Sequence, residues 1–211
     1  MSELKPLETA VLSVLHERPM HPYEMYQLLV ARAEDRLVKI RPGSLYHAVV
    51  RLADRGLLAE VGRDREGNRP ERTTYSLTEA GRTALVDWVE TRLSVPTNEY
   101  PEFPVAVAQM HNLPEGEVVQ VLDRRLVALR AELDFHGELI AAHTAIELHE
   151  PYWLDTRYQH AMLAAQIHWI EQLLDDLRSG RLVWQDPQHQ VDHAETGRHD
   201  ISDIAHEGAS A

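Results

Sequence analysis

The chain contains no cysteine among its 211 residues, which excludes a disulfide framework and any thiolate-ligated zinc site. Aromatic residues are sparse, at 6%, although the 44% apolar fraction is enough for a packed core. Long apolar runs are missing too. The most apolar stretch near the start, Ala10 to Leu15, is about six residues long, against the ~18 that a membrane span needs. No basic leader precedes it, so the start does not read as a signal peptide. Nucleophile–base pairs, paired-carboxylate motifs and internal repeats are likewise absent. The Gly62 to Gly67 stretch lacks the lysine and helix start of a phosphate-cradling loop. These absences lead to the expectation of a soluble cytoplasmic protein that is not an enzyme and uses no cofactor.

What is present is an uneven charge. The chain carries a net −13, yet residues 1–94 hold 14 basic and 14 acidic groups, so the whole surplus lies in residues 95–211. Between residues 36 and 72, nine basic groups face five acidic ones. A chain that confines its positive field to one stretch can grip a polyanion with one face while its acidic half is repelled.

Periodicity predicts a helix from Leu4 to Arg18, stopped by Pro19, and a second helix opened by His21-Pro22. Pro42 suits a first helical turn, and a helix over Gly43 to Asp54 follows, ended by Gly56. Leu45, Ala48, Val49 and Leu52 form its expected buried stripe. Tyr46, His47, Val50, Arg51 and Asp54 fall on the other side. Two strands, Leu57 to Gly62 and Thr73 to Leu77, flank an arginine-rich turn with Gly67-Asn68 at its tip. Thr78 caps a further helix running to about Leu93.

Pro96 to Pro104 reads as a linker, followed by a short helix around Val105 to Met110. A long helix is expected from Glu115 to about Leu148, with Val118, Val121, Leu122, Leu126, Leu129, Leu133 and Ile140 as its stripe. Another spans Tyr152 to Arg178, stopped by Gly180. Two long antiparallel helices with one apolar seam each cannot bury both faces alone, so a partner copy is expected. From Gln185 onward the chain is polar and His-rich, and reads as disordered.

The helix over residues 43–54 offers Ser44, Tyr46, His47 and Arg51, groups that hydrogen-bond phosphates and base edges. The hairpin adds Arg63, Arg65, Arg69 and Arg72, suited to a minor groove or flanking phosphate. Double-stranded DNA is the expected partner. A winged helix serving as a protein-interaction module is the rival reading.

Two stretches, PGSLYHAVVRLADRGLL and GNRPERTTYSLTEAG, resemble the PadR-like family of bacterial transcriptional regulators. The resemblance covers the amino-terminal region and, more loosely, the proline linker and the two long helices. It implies a mostly α, α+β fold: an amino-terminal winged helix-turn-helix domain joined to a long-helix dimerisation domain. The family usually represses from a pseudo-palindromic operator. By position, Ser44 and Tyr46 match the family's DNA-contacting pair and Arg69 its wing arginine. His47 departs from the pattern, since proline is usual there. The expected organisation is residues 1–94 for DNA binding, 95–113 as linker and short helix, 114–184 for homodimerisation and 185–211 as tail.

Tyr152, Trp153 and Trp169, beside His160 and His168, suggest aromatic walls for a small aromatic or drug-like effector. Family members often answer to such molecules. The pairs His143/Glu147 and His168/Glu171 are spaced to share helix faces, the basis for a metalloenzyme as second rival. Neither forms a repeated Glu-x-x-His set, and no metal site is expected.

Overall fold

The computed structural model describes residues 3–64 and 72–184, with the backbone alone at 63, 64 and 72. The expected disordered tail lies outside the described residues. The chain divides into two compact units, Met1–Glu99 and Tyr100–Ala211, each with its own apolar cluster.

The amino-terminal unit opens with α1 (Pro6–Glu17) and α2 (Pro22–Ala31). The α2 start is locally determined. The His21 ring accepts from the Tyr23 amide at 3.1 Å, and the Glu24 carboxylate accepts from the His21 amide at 2.9 Å, satisfying amides that have no helical partner. Helix α3 (Pro42–Asp54) begins on its proline and buries Leu45, Ala48, Val49 and Leu52, the stripe that periodicity predicts. Gly56 follows with φ +71°, a left-handed conformation that favours glycine and ends the helix.

Strands β1 (Leu58–Asp64) and β2 (Arg72–Leu77) pair antiparallel, Leu58 opposite Leu77, with an irregularity between Glu60 and Gly62. They run further toward the hairpin tip than the alternation suggests. Met20, between α1 and α2, joins this sheet through two 3.0 Å backbone hydrogen bonds with Tyr75. Thr78 caps α4 (Glu79–Ser94), its Oγ1 accepting from the Gly81 amide at 3.0 Å. A Cβ on Gly81 would stand 2.2 Å from the Leu57 carbonyl oxygen, so only glycine lets α4 approach the hairpin this closely. Farther along, Trp88 donates from Nε1 to the Leu4 carbonyl at 3.1 Å. Leucines and valines from α1 to α3 and both strands complete the core, each fully buried side chain contributing about 1.5–3 kcal/mol.

The carboxy-terminal unit holds α5 (Glu102–Gln109), α6 (Glu115–Ala145) and α7 (Leu154–Arg178). Helix α5 starts earlier than expected because Pro104 falls in its first turn, where a missing N–H costs no helical bond. Helix α6 ends earlier, at a Schellman turn. The Leu148 amide reaches the His143 carbonyl at 3.0 Å and the Glu147 amide reaches Thr144 at 3.1 Å. Glu147 takes the left-handed position usually given to glycine, with φ +51°.

Helices α6 and α7 run antiparallel. Arg178 bonds Asp123 at 2.6 Å while Arg130 bonds Glu171 at 2.6 Å. The apolar seam sets Val118, Leu122 and Leu126 against Ile167, Ile170, Leu174 and Leu177. Of the expected α6 stripe, Leu129, Leu133 and Ile140 are half-buried and Val121 is exposed.

Candidate nucleic-acid interface

Four side chains define the outward side of α3. Ser44, Tyr46, His47 and Arg51 are all exposed, Tyr46 to 55%. The rings of Tyr46 and His47 meet edge-on with centroids 6.4 Å apart. At 100° per residue, Ser44 and Arg51 lie within ~20° of one another and His47 ~40° from Arg51. Lys39 and Arg41 are exposed on the approach to the helix. Sequence reading counted them only as charge, although their position at the helix entrance was visible from Pro42.

Arg51 has a constraint that the sequence did not announce. Its Nε donates to Glu8 Oε1 at 3.0 Å, and Arg55 Nη1 donates to Glu8 Oε2 at 3.3 Å. Glu8 Oε2 also accepts the Lys5 amide at 3.1 Å. The Glu8 side chain is only 3% exposed, Arg51 48% and Arg55 25%. A carboxylate buried this deeply needs charged partners, because desolvation alone would disfavour it. A faint signal existed: Glu8 interrupts the apolar spacing of Leu4, Val11, Leu12 and Leu15.

The hairpin provides strands that lead toward the arginine-rich turn. Arg63 lies in β1, with its backbone alone described; Arg65 and Arg69 fall outside the described residues.

The expected effector wall is not one surface. Tyr152 and Trp153 belong to a 3-10 turn over Glu150–Trp153 and not to the long helix. Trp153, with φ −142°, leaves the helical region just before α7 begins. It is buried, donates to the Leu148 carbonyl at 3.1 Å and packs on His143. Tyr152 is 78% exposed and touches the His149 ring. Trp169 stands on α7 with its ring edge-on to Phe103, centroids 6.4 Å apart. These two line an open groove of about 430 Å³ with Gln159, Met162, Leu163 and Gln166. Tyr152 and Trp153 do not line it, and neither do His160 and His168.

The paired metal candidates have other surroundings. Glu171 is engaged by Arg130, and His143 packs on Trp153. Among the described residues no three histidine or carboxylate side chains gather as a metal site would require. No helix among them is long and apolar enough to cross a membrane.

Comparison with solved structures shows the same fold. Bacillus subtilis PadR in complex with operator DNA matches with a TM-score of 0.68 at 18% identity, covering 83% of this chain and 99% of that one. The same protein in complex with p-coumaric acid gives 0.66 at 16% identity, covering 82% and 99%. The Vibrio cholerae virulence activator AphA gives 0.64 at 22% identity, again covering 82% and 99%. No curated protein matches the sequence. The model of the Transcriptional regulator PadR-like family matches residues 11–87, a span that begins within α1, takes in α2, α3 and the hairpin, and ends within α4. Residues 11–87 therefore form a domain of the PadR-like family, whose members are transcriptional regulators and not enzymes.

Proposed function

We propose that the protein is a sequence-specific DNA-binding regulator acting as a homodimeric repressor on a pseudo-palindromic operator. The observation that carries this reading is α3. Its inner stripe is fully buried, its outer side presents Ser44, Tyr46, His47 and Arg51, and a basic hairpin follows at once. The solved complex of B. subtilis PadR with operator DNA supports it. Helix α3 would enter a major groove, with Arg63, Arg65 and Arg69 reaching the adjoining groove or backbone. Two copies on a two-fold axis would space their reading helices by ~34 Å, one turn of DNA.

Support for the homodimer comes from α7. Leu154, Tyr158, Met162 and Trp169 are exposed and lie within ~80° on one side of the helix. An apolar stripe of this kind is the expected contact for a second copy. Trp169 and the groove beside it suit a small aromatic effector, in keeping with the solved complex of B. subtilis PadR with p-coumaric acid. Such a ligand would act by favouring one dimer geometry over another. Tyr152 and Trp153 have no part in that groove. We place the protein in the cytoplasm, where its DNA would be.

Selection of genomic fragments by the purified protein tests the reading. Two half-sites about one helical turn apart should be enriched, and Tyr46→Ala should weaken their binding by about 1–3 kcal/mol. Arg69→Ala should weaken all duplexes alike and reduce the salt slope by about one unit. Parental affinity in both variants would show the DNA face to be wrongly assigned. A reporter under the enriched promoter should rise when the protein is removed. A fall would favour activation, the role stated for AphA.

A further inference from the structure

The Glu8 cluster joins the first helix of the chain to the outer flank of the reading helix. A contact that only stapled α1 to α3 would be served by Arg55, which is largely buried at 25% side-chain exposure. Arg51 is half exposed and shares its flank of α3 with Ser44. It gives Glu8 only its Nε, and the guanidinium is a rigid planar fork with further donors on its two terminal nitrogens. Fixing Nε therefore fixes the plane and direction of the whole group.

We propose that Glu8 is a positioning residue for DNA recognition, holding Arg51 by Nε so that its terminal nitrogens face a phosphate or base edge. This rests on the DNA-binding reading above. Glu8 touches no nucleic acid itself. It removes in advance the rotamer freedom that an unheld arginine would lose on binding. Arg55 and the Lys5 amide hold the carboxylate from its other oxygen, so the anchor stays in place when Arg51 engages DNA.

The charge of Glu8 predicts the opposite sign from its geometry, which makes the inference easy to break. A negative charge close to a DNA-facing arginine should oppose binding, so Glu8→Gln should tighten it if charge alone matters. If Glu8 positions Arg51, Glu8→Gln should weaken binding about tenfold and lower the steepness of log affinity against log salt by ~0.9, the contribution of one phosphate contact. Arg51→Ala should do the same, and the double variant should bind no more weakly than Arg51→Ala alone.

The probe is a 30-base-pair duplex carrying the site that the parent enriches from genomic fragments, titrated in KCl, with circular dichroism confirming folded variants. Arg51→Lys provides a test independent of changing the buried residue. It keeps the charge and loses the fork, and it should bind like Arg51→Ala. Tighter or unchanged binding by Glu8→Gln, additive losses in the double variant, or parental binding by Arg51→Lys would each overturn the inference and leave the DNA reading standing. Failure of the parent to enrich any duplex would remove both.

Discussion

In the amino-terminal unit, Val11, Leu12, Met25, Leu29, Leu45 and Leu52 are wholly or almost wholly removed from water, and they come from three helices. In the carboxy-terminal unit, burial of that degree is reached by Val118, Ile170 and Leu174. Leu154, Tyr158 and Met162 of the same unit stay exposed. The first unit encloses its core by stacking helices around a hairpin. The second has two long helices whose shared seam covers one side of each. A domain closed on itself can present polar groups outward and still hold them rigidly. A helical pair left open is suited to joining copies. On the function proposed above, reading and assembly would fall to different parts of the chain, divided by how completely each buries its leucines.

The sharpest way to break this contrast is to remove a core side chain. Leu52→Ala should cost about 2–5 kcal/mol, measured by denaturant unfolding, and the loss should not depend on protein concentration. Concentration dependence would mean that the first unit is not self-sufficient. Tyr158→Asp together with Met162→Asp should weaken association about a hundredfold, roughly 3 kcal/mol, read by sedimentation, while the melting of residues 1–99 stays in place. A dimer that survives both changes would move the interface off this side of α7. Glu147→Gly should stabilise the α6–α7 hairpin by less than about 1 kcal/mol, since glycine accepts the left-handed turn without a Cβ penalty. A lower melting temperature would contradict that turn.

The smallest effect concerns Glu17, whose carboxylate is held below its ordinary 4.5 chiefly by the hydrogen bond from Arg32. That bond spans 2.9 Å between α1 and the end of α2. Because the folded value is lowered, the pair stabilises above pH 4.5 and the benefit disappears as pH falls through the lowered value. Both side chains are nearly half exposed, so Glu17→Gln should cost only a few tenths of a kcal/mol at neutral pH. The difference from the parent should vanish in acid. A constant difference across pH would assign it to packing.

Local chemistry made much of this legible. The buried stripe of α3, its stop at Gly56 and the Thr78 cap each depend on residues within about one or two turns, so pattern and turn chemistry found them. Glu8 was missed because its burial is set by Arg51 and Arg55, more than forty positions away. Trp153 was misplaced for a related reason. Its spacing suits a helix, but packing on His143 and a bond to the Leu148 carbonyl hold it in a turn. The α5 start was misread because three prolines suggested a linker, and Pro104 is harmless in a first turn. Of the expected effector residues only Trp169 borders the groove, since grooves are made by neighbours in space and Phe103 lies far away along the chain.

The two hydrogen bonds between Met20 and Tyr75 also bear on what can be exchanged in this protein. They fasten β2 of the hairpin to the segment that enters α2. A change of sequence between the strands should therefore leave the register at Tyr75 in place. For an engineer, the hairpin has a fixed socket, and if the proposed function holds, contacts at the flanks of a DNA site would be open to change without redesigning α3.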